Sequence, residues 1–152
     1  MSKVKIIWAI IILLVIAIQF IPSGRPEVIA TNKNDLLHNV LVTDSVSNIL
    51  KSACYDCHSN ETKYPWYAYV APVSWLVNRD TRLARGNLNF SEWESQNKMD
   101  KAKILGEIAE EVEIGNMPMP IYVLMHPEAK LSIQDRELLI KWSDDFGESL
   151  FE

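Results

Sequence analysis

The chain has 152 residues, 48% of them hydrophobic, and a formal net charge of -5. That length suits one domain with an appendage, and the acidic balance excludes nucleic acid as a partner, because a phosphate backbone demands a basic face. With Lys3 and Lys5 set apart at the N-terminus, 13 of the 15 basic residues remain against 20 acidic ones. Such a surface tolerates a basic redox partner without identifying one.

Residues 1–21 read as a membrane signal-anchor. Ile6 to Ile21 is apolar apart from Gln19, and counted from Val4 the run approaches the roughly 17–25 residues of a membrane span. Lys5 can snorkel to the interface. A cleaved signal peptide is the competing reading. Against it, no A-x-A-like site follows the run, whose exit reads Gln19-Phe20-Ile21-Pro22-Ser23-Gly24-Arg25-Pro26. Lysines ahead of the segment predict a cytoplasmic N-terminus. The expectation is therefore a single-pass inner-membrane protein, in contact with the membrane through residues 4–21, with its remaining chain in the periplasm.

Residues 22–35, rich in proline and polar side chains, read as a linker, and 36–152 as the functional domain. His38, alone in a polar stretch, reads as solvated. A helix is expected from about Asp44 to Ala53, capped by Thr43 or Asp44, with Val42, Val46, Ile49, Leu50 and Ala53 on one face. Pro72 suits the first turn of a second helix running to about Arg85, with Gly86 as terminator and Val73, Leu76, Val77 and Leu83 as its apolar side. Ser91-Glu92-Trp93-Glu94 has the form of a capping box opening a long helix that ends near Ile114. Ile104, Leu105, Ile108 and Val112 form its buried stripe, and Gly115 stops it. Ser132 with Asp135 opens the last helix, carrying Leu139, Trp142 and Phe146 along one face. No strand-like alternation of useful length occurs. The fold class is all-α, a transmembrane helix followed by a helical domain.

Between the first two helices of that domain lies Cys54-Tyr55-Asp56-Cys57-His58, which contains both cysteines of the chain. C-x-x-C-H is the pattern of covalent haem attachment. Each thiol adds to one vinyl group of the porphyrin, and the adjacent histidine ligates the iron. The rival readings lack support. A thioredoxin-like site needs an α/β pattern, a structural zinc needs four ligands drawn from two cysteines and His38, His58 and His126, and a simple disulfide leaves His58 unexplained. One covalent haem c through Cys54 and Cys57 is expected, with His58 as one axial ligand. Candidates for the other are Met117, Met119, Met125 and His126, since methionine opposite histidine is a common arrangement. The alternative for these methionines is core filling. Trp66, Tyr67 and Trp75 would pack on a porphyrin, and one of Arg79, Arg82 and Arg85 could pair with a propionate.

Cys54 to Asn60, Tyr64-Pro65-Trp66-Tyr67, Pro72-Val73-Ser74-Trp75, Leu88-Asn89-Phe90-Ser91 with Trp93, and Met117-Pro118 with Tyr122, His126 and Ala129-Lys130-Leu131-Ser132 together resemble the bacterial haem-binding domain family of small membrane-anchored c-type cytochromes. The similarity runs from about Asp44 to Trp142. In the family pattern a tyrosine follows the methionine of a Met-Pro pair by five residues, which maps to Met117 and Tyr122. The resemblance thus implies Met117 as sixth ligand, with Met119 a weaker candidate; His126, just before Pro127, is weaker because it suits a turn, and Met125 reads as core. The resemblance also implies a monohaem carrier of single electrons. A haem-based sensor with a displaceable sixth ligand is the alternative. Peroxidase-type catalysis would need an open iron and a distal base, for which only His126 is placed.

Overall fold

The computed structural model describes residues 2–30 and 32–152; Met1 and Thr31, which fall in the expected anchor and linker, lie outside the described residues. Those described form no strand. The α-helices are α1 (Lys3–Ile18), α2 (Asp44–Ala53), α3 (Tyr55–His58), α4 (Val73–Asn87), α5 (Lys98–Glu113), α6 (Pro120–Met125) and α7 (Ile133–Ser149).

The core forms where the apolar stripes of α2, α5 and α7 meet. Val46, Ile49, Leu50 and Ala53 of α2 face Ile104, Leu105 and Val112 of α5 and Leu139, Trp142 and Phe146 of α7, all buried. Trp93 and Phe90 fill the centre, Trp93 ring-to-ring with Phe146 at 5.6 Å. Local chemistry sets the helix ends. Thr43 accepts a hydrogen bond from the Val46 N–H, and Ser132 and Asp135 make a reciprocal capping box. Gly115 closes α5 at φ +77°, a left-handed conformation that suits glycine. The Ala71–Pro72 and Met117–Pro118 peptide bonds are cis.

The expected membrane span is overturned. No helix among the described residues is long and apolar enough to cross a membrane. α1 has 16 residues, about 24 Å at 1.5 Å per residue, against a hydrocarbon core of about 30 Å. It ends where Gln19 leaves the apolar run: the side-chain amide donates to the carbonyls of Val15 and Ala71 and accepts from the Ala71 N–H. Phe20 and Ile21 therefore fall beyond the helix, and Pro22 resists its continuation. The single-pass inner-membrane address, with its periplasmic domain, falls with the span. No residue of α1 is buried.

Three smaller expectations also fail. Ser91 does not open a helix: residues Phe90–Ser95 form a 3-10 stretch with Glu92 outside helical geometry, and α5 starts at Lys98 under an Asn97 cap. Gly86 does not stop α4, which continues to Asn87 until extended Leu88. The buried side of α4 is polar, made of Ser74, Asn78 and Thr81, while Leu76 and Leu83 are exposed. That inversion follows from the segment after Pro22, which packs on α4 through hydrogen bonds. Asn78 donates to Ser23 Oγ, Arg82 to the carbonyls of Ser23 and Gly24, and Arg85 to the carbonyl of Glu27 and Thr62 Oγ1.

Candidate functional site

The C-x-x-C-H turn is a helix interrupted and restarted. α2 ends as Cys54 leaves helical geometry at φ -126° and ψ -39°, and α3 begins at once. The N–H groups of Cys57 and His58 both return to the Cys54 carbonyl, at 3.2 and 2.9 Å. Both thiols are free and half-buried. Burial pushes Cys54 up to about 12, with the neighbouring Cys57 adding to it. Burial likewise raises Cys57 to about 11, helped by Asp56 and Asp80. Both therefore stay protonated near neutrality, unlike the low-pKa thiolates of redox or nucleophilic sites.

Tyr55 anchors the turn from beneath. Its ring stacks on Phe90 at 5.1 Å and its hydroxyl donates to Asp35 Oδ1 at 2.7 Å. Asp35 is fully buried and also accepts from the Leu37 N–H at 2.9 Å and from Ser91 Oγ at 3.1 Å. Ser91 Oγ in turn accepts from the Asn60 N–H, two residues past His58. This is why Ser91 does not cap α5: its hydroxyl is committed to the core.

His58 comes with its orientation set. Nδ1 lies 3.2 Å from the Leu88 carbonyl, which can only accept, so Nδ1 carries the proton and Nε2 is left as a ligand. A backbone carbonyl on the far nitrogen is the usual second partner of a metal-bound histidine. Burial lowers the His58 pKa, against smaller opposing effects of the Leu88 and Ala84 backbone, which favours the neutral imidazole that ligation requires.

Cys57 and His58 open onto a cleft of about 200 Å³, shared with Asp80, Leu83, Ala84 and Asn87 of α4 and with Met117, Pro118, Met119 and Tyr122. Both leading methionine candidates thus share one cleft with the histidine. The other candidates are placed elsewhere. Met125 is exposed at 53%, a correction to its expected place in the core. His126 has both ring nitrogens engaged, Nε2 with the Tyr67 hydroxyl at 2.6 Å and Nδ1 with Glu128 at 3.1 Å. His38 is exposed. Trp66 is exposed at 75%, and Trp75 donates to the Ile21 carbonyl. Among the three arginines, Arg82 and Arg85 are occupied by backbone carbonyls of the segment after Pro22, leaving Arg79 exposed. A second cleft of about 210 Å³, lined by residues such as Gln19, Arg25 and Tyr69, lies apart from the cysteines and histidines.

The residues present suit a haem. The cleft is smaller than the roughly 300–1,000 Å³ of pockets that enclose small ligands, and Leu83 on its wall is 53% exposed. An apolar wall left unburied by its own chain is what a tethered porphyrin would cover. The donor set also fits: a neutral histidine with a fixed tautomer, two protonated thiols and two thioethers. Among the described residues no group of three His, Cys, Asp or Glu side chains is placed to hold a metal ion.

Pure sequence reasoning passed over three contributors: the Leu88 carbonyl, buried Asp35, and the hydrogen bond from Tyr122 to Asp56 at 2.8 Å. The available signals were an ionisable residue, Asp56, between the two cysteines and the fixed spacing of Tyr122 after Met117. A family model described as a haem-binding domain matches residues 13–145. No curated protein and no solved structure matches the chain.

Proposed function

Because the chain belongs to the haem-binding domain family, a premise that makes it a haem-binding protein, we propose that it is a monohaem c-type cytochrome carrying single electrons. Residues 36–152 form the haem-binding unit, and described residues of the segment before it, such as Ser23 and Glu27, lie against α4. Cys54 and Cys57 would hold the haem through thioether bonds: adding each S–H across one vinyl group would make a carbon–sulfur bond and place the thiol hydrogen on the neighbouring carbon, with no external oxidant. His58 Nε2 and the Met117 thioether would be the iron's two protein ligands.

One observation carries this reading: the His58 imidazole is fixed through Nδ1 on the Leu88 carbonyl and shares a cleft with Met117. When bound, the haem supplies one-electron chemistry between ferric and ferrous iron. The chain's part would be to supply His58 and Met117 to the iron, so that substrate is excluded, and to limit water through Leu83, Ala84 and Pro118. Met117 is favoured over Met119 by the Tyr122 spacing of the family pattern.

The test is a haem stain on denatured protein, followed by spectra of its oxidised and reduced forms. Haem that stays with the denatured chain is the expected result. The ferric spectrum should carry the long-wavelength charge-transfer band of methionine ligation, lost in Met117→Ala and kept in Met119→Ala. A band surviving Met117→Ala intact refutes the assignment.

A further inference from the structure

α6 carries the chain away from the methionine segment, yet none of its residues is buried. Ile121, Leu124 and Met125 are exposed. Only Tyr122 and Val123 of this helix pack, half-buried, against the core, so polar contacts share in fixing it. On the upstream side, the N–H groups of Asn116 and Met117 both donate to the Glu111 carbonyl at the end of α5. On the downstream side, the anchor is Tyr122. Its hydroxyl donates to Asp56 Oδ2 at 2.8 Å, and its ring stacks on His126 at 4.3 Å. Asp56 is held in turn by the Lys63 N–H on Oδ1 at 3.1 Å.

Asp56 lies between the two cysteines, and Tyr122 lies five residues after Met117. Their hydrogen bond thus joins the attachment turn directly to the segment that lines the same cleft. We infer that the Tyr122–Asp56 hydrogen bond is a latch that keeps Met117 across from His58, making both residues positioning residues for the sixth ligand. This inference rests on the c-type reading above. A hydrogen bond to a carboxylate is among the stronger kinds available to a side chain. Burial, reinforced by Asp56, raises the Tyr122 pKa, so the phenol keeps the proton it donates. His126, pinned by Tyr67 and Glu128, supports the Tyr122 ring by stacking on it and takes no part in the hydroxyl–carboxylate bond itself.

The decisive variant is Tyr122→Phe, which keeps the ring and its stack on His126 and removes only the hydroxyl. Carbon monoxide binding to the reduced, haem-loaded protein reports how often the sixth position opens. Tyr122→Phe should bind carbon monoxide about tenfold faster than wild type, equivalent to about 1.4 kcal/mol, with a weakened ferric methionine band. Asp56→Asn should move in the same direction, and Tyr122→Phe should add little in that background. A merely structural bond would lower the melting temperature without changing carbon monoxide binding.

The two layers of the proposal separate cleanly. Wild type that binds carbon monoxide as fast as Met117→Ala overturns the ligand assignment and the latch together. Slow wild type, fast Met117→Ala and a Tyr122→Phe as slow as wild type overturn the latch alone. Asp56→Asn supplies the same comparison if Tyr122→Phe does not load haem.

Discussion

Replacing Asp35 by alanine should be strongly destabilising. The carboxylate is fully buried and accepts three hydrogen bonds: from the Tyr55 hydroxyl at 2.7 Å, the Leu37 N–H at 2.9 Å and the Ser91 hydroxyl at 3.1 Å. Bonds to a charged acceptor contribute about 1.5–3 kcal/mol each. Their simple sum overstates the loss, because the carboxylate's own desolvation vanishes with it and water can enter the space. Loss of one partner from a buried charged network costs about 3–5 kcal/mol, a large share of the roughly 5–15 kcal/mol that stabilises a domain. Urea unfolding of the haem-loaded protein, followed by tryptophan fluorescence, should show a midpoint lower by about 2 M, for a slope of about 2 kcal/mol per M. Tyr55→Phe should cost about 1.5–3 kcal/mol alone and nearly nothing in the Asp35→Ala background. A midpoint shift for Asp35→Ala worth under about 1 kcal/mol would refute the reasoning, since a loss that small belongs to exposed contacts.

The haem itself should be a structural element, because part of the cleft wall is left uncovered by protein. A Cys54→Ala/Cys57→Ala chain, purified without haem, should melt well below the loaded protein and with lower cooperativity; an unchanged melting curve would contradict this. Acid should act on Glu94, whose carboxyl is held below its ordinary range first by the Lys101 ammonium at 2.6 Å and then by Asn39. A folded-state pKa that is lowered gives stability that is present above the ordinary value of 4.5 and lost as pH falls through the lowered one. Glu94→Gln should therefore cost up to about 1 kcal/mol at neutral pH, and the difference should shrink toward zero as pH falls below the ordinary carboxyl range, read from paired urea curves. A gap that widens on acidification would reverse the assignment.

Much of the helical framework was legible because it depends on contacts within a few residues. The Asp44–Ala53 helix, its Thr43 cap and its apolar face are all local, as are the Ser132 capping box and the Gly115 stop. Elsewhere the same local signals misled. Ser91-x-x-Glu94 has the spacing of a capping box, but Asp35, 56 residues away in sequence, takes the serine hydroxyl. The leucine side of α4 looked like its core face, yet Ser74, Asn78 and Thr81 are buried, since the chain after Pro22 offers them polar cover. The apolar N-terminal run looked long enough for a membrane, until Gln19 paired with the Ala71 backbone and ended the helix.

For the site, the sequence alone determined which atoms are available: two thiols, an adjacent imidazole and a cluster of thioethers. Their spacing along a short turn is covalent, so it holds in any fold. Only the tertiary structure decided how those atoms are presented. The Leu88 carbonyl selects the His58 tautomer from 30 residues away, and Tyr122 reaches Asp56 across 66. Bonds of that range leave no periodic trace in a sequence, because what joins their partners is the packing of α2, α5 and α7 around one core.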